Sequence, residues 1–560
     1  MTFQSIQAFS KHAAVKYLQS AVFIDDNIYN QDTAAPATPQ EIATPQRKRA
    51  FKPIPGEPSS EGAAEVEPVA EVPQFRTKDL VNSFAKYGIV CAPYEPPTDF
   101  ETGPDSEVFQ LCEAADLVIL DWNFNEQGFA VGTKPKELIA SLISDGIAVA
   151  PHQVRLIVIY TTAPLLEAVA NAVFQDLSSP GITVSWASEN RLSLQAGSSR
   201  VVVLGKPNTA RAGSELPSTV DEKDLADRVI TEFSTMTQGI LPSCALLGMA
   251  AIRRNSRRIL DKFRNEMDGA FLLHRALVLE SEEAFEQLPE LFADEFRAVV
   301  EDEVVFPDDV TAFIAAVIGE LPLGQPPSPW TTSGQQVDAV PIFQKYLSSG
   351  KEGLDAHQQC NEASKLKKHD FSKPDLLNSL KGMVSPDSGK GNDLLAALFN
   401  TRTQYSQSKR PLTLGTIIRE VLPEDKEVFS ICLMPVCDSM RLADGSPVSF
   451  PFWQLSPLAN SKGHGIVVQL EDATYTSLMR KGKPREMFWL EKFTPTPGTG
   501  IVTAQPDGDG KFTLTAGQRT FQWVAQLKPA HAQRIAHEVA QSLSRVGLTE
   551  AEWVRLMCDR

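Results

Sequence analysis

The sequence has few of the residue patterns that staple a chain, hold a soft metal or cross a membrane. Among 560 residues there are seven cysteines, at positions 91, 112, 244, 360, 432, 437 and 558. They are odd in number, scattered and never in a CxxC pair, so neither a disulfide framework nor a zinc ribbon is signalled. A reducing, cytoplasmic setting is expected. No stretch approaches the ~18 uninterrupted apolar residues of a membrane span. The opening MTFQSIQAFSKHAAVKYLQSAVFIDD has neither an apolar h-region nor a small-residue cleavage site. A soluble protein without a membrane partner is expected. Basic charge is also short, with 53 Lys+Arg against 70 Asp+Glu and a net charge of −17. That argues against an extended nucleic-acid footprint. His537-Glu538 on a helical pattern lacks the second histidine of a zinc site, because Gln541 stands in its place.

What is present is a soluble globular composition, 42% hydrophobic and 22% charged, in a chain long enough for roughly two to four domains. An amphipathic helix (Ser5–Leu18) leads into a short apolar strand, Ala21–Ile24, that ends in Asp25-Asp26. From Asn30 to about Gln74 the composition turns to Pro, Ala, Glu, Thr and Ser. Such a segment buries too little apolar surface to offset its ordering entropy and reads as a disordered insertion (30–75). Helices then alternate with apolar strands: Thr77–Tyr87, Gly88–Ala92, Asp105–Ala114, Asp116–Asp121, Lys134–Ser144, Val154–Tyr160, Pro164–Leu177, Arg200–Leu204 and Asp221–Met236. A β excursion at Ile182–Leu194 interrupts the series. Buried strands alternating with helices predict an α/β, doubly wound, flavodoxin-like parallel sheet over residues 1–238. A helical region follows over 239–321, with long patterns at Leu247–Arg264 and Ala270–Glu301. A linker and helical segment is expected over 322–409, and an α+β domain over 410–560. In that last domain strands are expected at Val428–Pro435, Gly465–Leu470, Met487–Phe493, Ile501–Ala504 and Lys511–Leu514.

In doubly wound sheets the chemistry sits at the carboxyl ends of the strands. Asp25, Asp26, Asp121, Thr161 and Lys206 all fall there. Phosphoryl transfer to a carboxylate needs an aspartate at such an end, a hard divalent cation held by carboxylates, a cationic side chain and a nearby hydroxyl. A single aspartate at a strand end is usually a turn residue. Four elements in the right order, on the first, third, fourth and fifth strands, are much harder to obtain by chance. Phosphatase and nuclease chemistries that need a second aspartate two residues on are disfavoured, because that position is Asn123.

The runs FIDD, LVILDWNF, IVIYTT and VVVLGKP resemble the response-regulator receiver family over roughly residues 15–235. The resemblance implies that Asp121 accepts a phosphoryl group and that Asp25, Asp26, Asp121 and the backbone carbonyl of Asn123 bind Mg²⁺. It also implies that Thr161 is the switch hydroxyl and that Lys206 pairs with the phosphoryl group, although the adjacent Thr162 leaves the switch position open. Two departures stand out. The intervals from Asp26 to Asp121 and from Thr161 to Lys206 are long, and Val203 occupies the place where many receivers carry a switch aromatic. The enlarged form, with Phe271-Leu-Leu-His-Arg275 downstream, is similar to the response receiver domain of bacterial conflict systems and to receivers of defensive two-component anti-phage systems. The implied partners are a sensor histidine kinase and a second receiver or effector protein. The resemblance implies no enzyme activity beyond Mg²⁺-dependent phosphoryl transfer and autodephosphorylation. The alternatives are a scaffold that never carries phosphate and an enzyme in the C-terminal domain.

Two further features bear on those alternatives. The run Arg253-Arg254, Arg257-Arg258, Lys262 and Arg264 is expected on an amphipathic helix whose apolar side (Met249, Ile252, Ile259, Leu260, Phe263) packs on a core. Cys437-Asp438 is the most site-like pair of the second half, with His464 nearest in sequence, and a buried Cys437 is the favoured expectation.

Overall fold

The computed structural model describes residues 3–543 apart from 29–76, 321–329, 351–389 and several stretches of one to six residues. The expected insertion at 30–75 and the 351–389 part of the expected linker and helical segment therefore lie outside the described residues. The chain forms two compact units, Met1–Glu320 and Leu321–Arg560.

In the first unit α1 (Ile6–Tyr17) starts at Ser5, whose Oγ accepts from the Ala8 amide at 3.1 Å and satisfies one of the free amides of the first turn. The alternating series follows as β1 (Ser20–Ile24), α2 (Thr77–Ala85), β2 (Val90–Tyr94), α3 (Glu107–Ala114), β3 (Leu117–Leu120), α4 (Thr133–Ala148), β4 (Arg155–Thr161) and α5 (Leu166–Ser178). It ends with β5 (Val184–Trp186), β6 (Ser193–Ala196), β7 (Ser199–Gly205) and α6 (Leu225–Met236). The sheet order is β2-β1-β3-β4-β7-β6-β5. Its first five strands are parallel, and β6 and β5 add antiparallel to β7. The excursion at 182–194 is thus a hairpin arm laid beside the last parallel strand. Phe174 of α5 stacks on Trp186 of that arm with centroids 4.6 Å apart.

Alternation along each strand divides the core in two. Val22, Val118, Leu120, Ile157, Ile159 and Val201 face α3, α4 and α5. Phe23, Ile119, Val158, Tyr160 and Leu204 face α1, α2 and α6. With both faces covered, the central strands are apolar throughout rather than alternating. One exception is Arg155, buried at the start of β4, whose Nη1 donates to the Leu142 carbonyl at 3.0 Å.

Helices α7 (Ile240–Lys262), α8 (Asp268–Leu277), α9 (Glu283–Glu286), α10 (Leu288–Glu303) and α11 (Val310–Glu320) complete this unit. Here the sequence expectation needs two corrections. The single long pattern at 270–301 is three helices, because Pro289 sits in the first turn of α10, where a proline starts a helix rather than continuing one. The buried side of α7 is Leu247, Ala251, Asn255 and Ile259, whereas Met249 and Leu260 are exposed. The basic side chains of α7 are largely paired: Arg253 with Asp116, Arg254 and Arg258 with Glu303, and Lys262 with Glu295. α1 is clasped by α7 and α11, with Phe9 against Phe313 and Ser10 Oγ 2.9 Å from Ser243 Oγ.

The second unit is built on a fully antiparallel sheet. Besides a small hairpin, β8 (Trp330–Thr332) and β9 (Gln335–Val337), its strands are β10 (Thr416–Leu422), β11 (Lys426–Cys432), β12 (Val448–Pro457), β13 (Ile466–Gln469) and β14 (Tyr475–Met479). They continue with β15 (Phe488–Phe493), β16 (Gln505–Pro506), β17 (Phe512–Ala516) and β18 (Arg519–Gln526). The order is β13-β14-β12-β11-β10-β18-β17-β16, with β15 also on β12. The helix Pro529–Leu543 lays Ala532, Ile535 and Val539 on one face. An aromatic cluster of Phe450, Phe452, Phe493, Phe521 and Trp523 fills the other. Residues 501–504, expected as a strand, contribute only an isolated bridge from Thr503 to Pro411.

Candidate functional site

The sheet reverses direction at β1: β2 lies on one side of it and β3 on the other. Such a reversal opens a crevice beyond the carboxyl ends of the two flanking strands. Asp25 and Asp26 follow β1, and Asp121 follows β3. Their oxygens come within 4.8 Å of one another. Asp25 and Asp121 are 1% and 3% exposed, and Asp26 is half-buried.

Lys206, directly after β7, reaches across into this cluster. Its Nζ donates to Asp25 Oδ2 at 2.6 Å and to Asp121 Oδ2 at 2.9 Å. Burial disfavours the ammonium, but the charges of Asp121 and Asp25 outweigh it, and the Lys206 pKa is raised. The other oxygen of Asp121 is held by backbone: Trp122 N donates to Oδ1 at 2.7 Å and Asn123 N at 3.4 Å. The carboxylate is thereby fixed in rotation, with one oxygen on the chain and one on the lysine.

Thr161 ends β4 and is fully buried, its Oγ1 accepting from Ala163 N at 3.1 Å. Thr162 is exposed, and its Oγ1 accepts from Asn123 Nδ2 at 3.0 Å. The two threonines that the sequence leaves equivalent are thus distinct: one hydroxyl faces inward at the strand end, the other bridges to the loop after β3. Tyr160, one residue earlier, donates to the Val220 carbonyl at 2.7 Å, and burial raises its pKa. Asp25, Asp26, Asp121, Asn123, Thr161 and Lys206 all lie at the carboxyl end of the parallel sheet.

The donor set fits Mg²⁺. Three carboxylates converge there, and all three supply the hard oxygens this ion prefers. Among the described residues no other group of three acidic, histidine or cysteine side chains meets the same spacing.

One residue beside the site escapes sequence reasoning. Arg211 inserts its guanidinium between the ends of β4 and β7. Nη2 donates to the carbonyls of Thr161 (2.8 Å) and Ala163 (3.2 Å), Nε to Ala163 (3.3 Å), and Nη1 to the Lys206 carbonyl. Gly205 makes the room: a Cβ there would stand 2.5 Å from Arg211 Cζ. No motif or periodicity flags an arginine that binds mainly backbone carbonyls, so nothing in the sequence points to it.

The second-half candidate fares differently. Cys437 is exposed, which overturns the expectation of burial, because Pro435–Ser439 forms a surface turn after β11. Its Sγ lies 3.5 Å from Asp438 Oδ1, on that same exposed turn. His464 lies outside the described residues. His537 Nε2 is 2.9 Å from Gln541 Nε2 and Glu538 pairs with Arg534, as on an ordinary solvated helix face.

Among the described residues no helix is long and apolar enough to cross a membrane. A search of curated proteins found no match. Residues 17–211 match the family model of the response receiver domain, so this part of the first unit is similar to that domain.

Proposed function

We propose that Asp121 accepts a phosphoryl group from a histidine-kinase-type partner and that the chain works as a response regulator. The observation that carries this reading is the meeting of Asp25, Asp26, Asp121 and Lys206 in one crevice. In the transfer an oxygen of Asp121 bonds to phosphorus as the P–N bond of the donor breaks, and the leaving imidazole keeps the electron pair. Asp25, Asp26 and Asp121, with the Asn123 carbonyl, would hold Mg²⁺, which supplies charge neutralisation at the phosphoryl oxygens. Lys206 is already on the acceptor, so its ammonium moves only slightly to meet the new negative charge. The backbone donors on Asp121 Oδ1 keep the carboxylate oriented as Oδ2 exchanges partners.

Output passes through protein partners, or the domain competes for phosphate with another receiver. The similarity to receivers of defensive two-component systems extends the proposal to anti-phage defence. Incubation with radiolabelled acetyl phosphate or a phosphorylated kinase should give a label that needs both Mg²⁺ and Asp121. Complete absence of label in the wild type, matching Asp121→Asn, would leave only a scaffold that does not turn over phosphate.

A further inference from the structure

Many receivers report phosphorylation through an aromatic on the last parallel strand, and this chain has Val203 there, wholly buried. A different connection is built beside it. The loop after β4 is held from two sides. Asn123 Nδ2 binds Thr162 Oγ1 from the β3 side, and Thr209 Oγ1 binds the Thr162 carbonyl at 2.9 Å from the β7 side. Arg211 closes the arrangement, because one planar guanidinium takes the Thr161, Ala163 and Lys206 carbonyls together. Its Nη1 also lies 3.5 Å from Thr219 Oγ1. Four residues further on, Glu215 Oε1 accepts from the Glu167 amide at 3.1 Å, which ties the start of α5 to the same segment. The segment then returns to the sheet, with Val220 N donating to the Gly205 carbonyl at 2.9 Å.

We propose that Arg211 is a positioning residue that couples the phosphoryl state of Asp121 to the segment Glu215–Val220, in the role that an aromatic on β7 would otherwise fill. This rests on the receiver reading above. The Thr161 hydroxyl now accepts from Ala163 N. Turning to donate to a phosphoryl oxygen, it draws the strand end toward Asp121 and pulls the Thr161 and Ala163 carbonyls off the guanidinium. Arg211 cannot satisfy both ends at once, because its donors are fixed in one plane. The segment that carries Arg211 and Glu215 is then freed from the β4–α5 loop. The signal leaves by backbone carbonyls rather than by side-chain packing.

Hydrogen exchange of the full chain, with and without beryllofluoride and Mg²⁺, tests this. In the wild type, loading should speed exchange at the amides of Ser218, Thr219 and Val220 by about tenfold. In Arg211→Gln these amides should already exchange fast and should not respond to loading, while an Asp121-dependent acetyl phosphate label still forms. Arg211→Lys should fail to restore the response, since an ammonium cannot span three carbonyls. Gly205→Ala, which displaces the arginine without altering it, should mimic Arg211→Gln and serves as the second variant if Arg211→Gln does not fold. An unchanged loading response in Arg211→Gln and Gly205→Ala would overturn the coupling and leave the phosphoacceptor reading intact. A wild type that neither takes label nor binds beryllofluoride would overturn both.

Discussion

At the scale of single residues, the candidate site is dominated by one buried lysine between two buried carboxylates. Removing one partner of a buried ion pair strands the other and costs roughly 3–5 kcal/mol. Lys206→Met should therefore lower urea stability by about that amount, and the deficit should shrink when Mg²⁺ is added. The sign of the pH dependence follows from the raised Lys206 pKa. The ammonium's stabilisation is fully present below its ordinary value of 10.5 and is lost as pH rises through the higher folded value. The gap between wild type and Lys206→Met should stay constant across the neutral range and close only under strongly alkaline conditions, as read from thermal midpoints. These residues were legible because the chemistry demands acids and a lysine at strand ends, and the strand ends are marked by apolar runs. Arg211 was not, because its partners are mainly carbonyls, which every residue carries. The distinction between Thr161 and Thr162 was not legible either: it depends on where β4 stops pairing, which only the register with β7 decides.

At the scale of elements, the opposite end of the sheet is fastened by Asp116. Its carboxylate accepts from the amides of Gln19 and Ser20, at 2.8 and 3.0 Å, and takes Arg253 of α7 in a two-pronged pair. Arg253 also lies over the Tyr17 ring, 5.1 Å from its centroid. One aspartate thus joins the α1–β1 turn, β3 and α7. Asp116→Ala should cost about 3 kcal/mol in chemical denaturation, more than a surface pair would, because it orphans two amides and a part-buried guanidinium. The helical patterns of α1 through α7 were legible from periodicity, but the face α7 buries was not. Small residues, Ala250 and Ala251 among them, line its buried side, whereas the larger Met249 and Leu260 are turned outward.

At the scale of the whole molecule, the two units differ in how plainly the chain declares them. The first has strands covered on both faces, whose uninterrupted apolar runs stand out. The second has mixed strands. β12 contains Pro451 and Pro457, and β18 alternates buried and half-exposed residues among Arg, Thr and Gln. Neither was among the strands expected from sequence, because proline and polar residues dilute the apolar signal that two buried faces would give. The aromatic cluster supporting β12 sets the stability of this unit. Phe452→Ala, which empties a fully buried site stacked on Trp489, should destabilise it by about 3–5 kcal/mol. Calorimetry should show one transition moving down while phosphoryl uptake at Asp121 is unaffected.

The hairpin arm beside β7 also governs how copies of this sheet can meet. Without β5 and β6, a seven-residue strand would present its open amides and carbonyls to any neighbouring chain. With them, the sheet ends on that side in the three-residue β5. On the other side it ends in β2, where Pro93 removes a donor one residue before the end of the strand. Short terminal strands and proline are the usual guards against strand-to-strand accretion. Assemblies through the first unit are thus steered away from continuous sheets and toward contacts made by helices and loops.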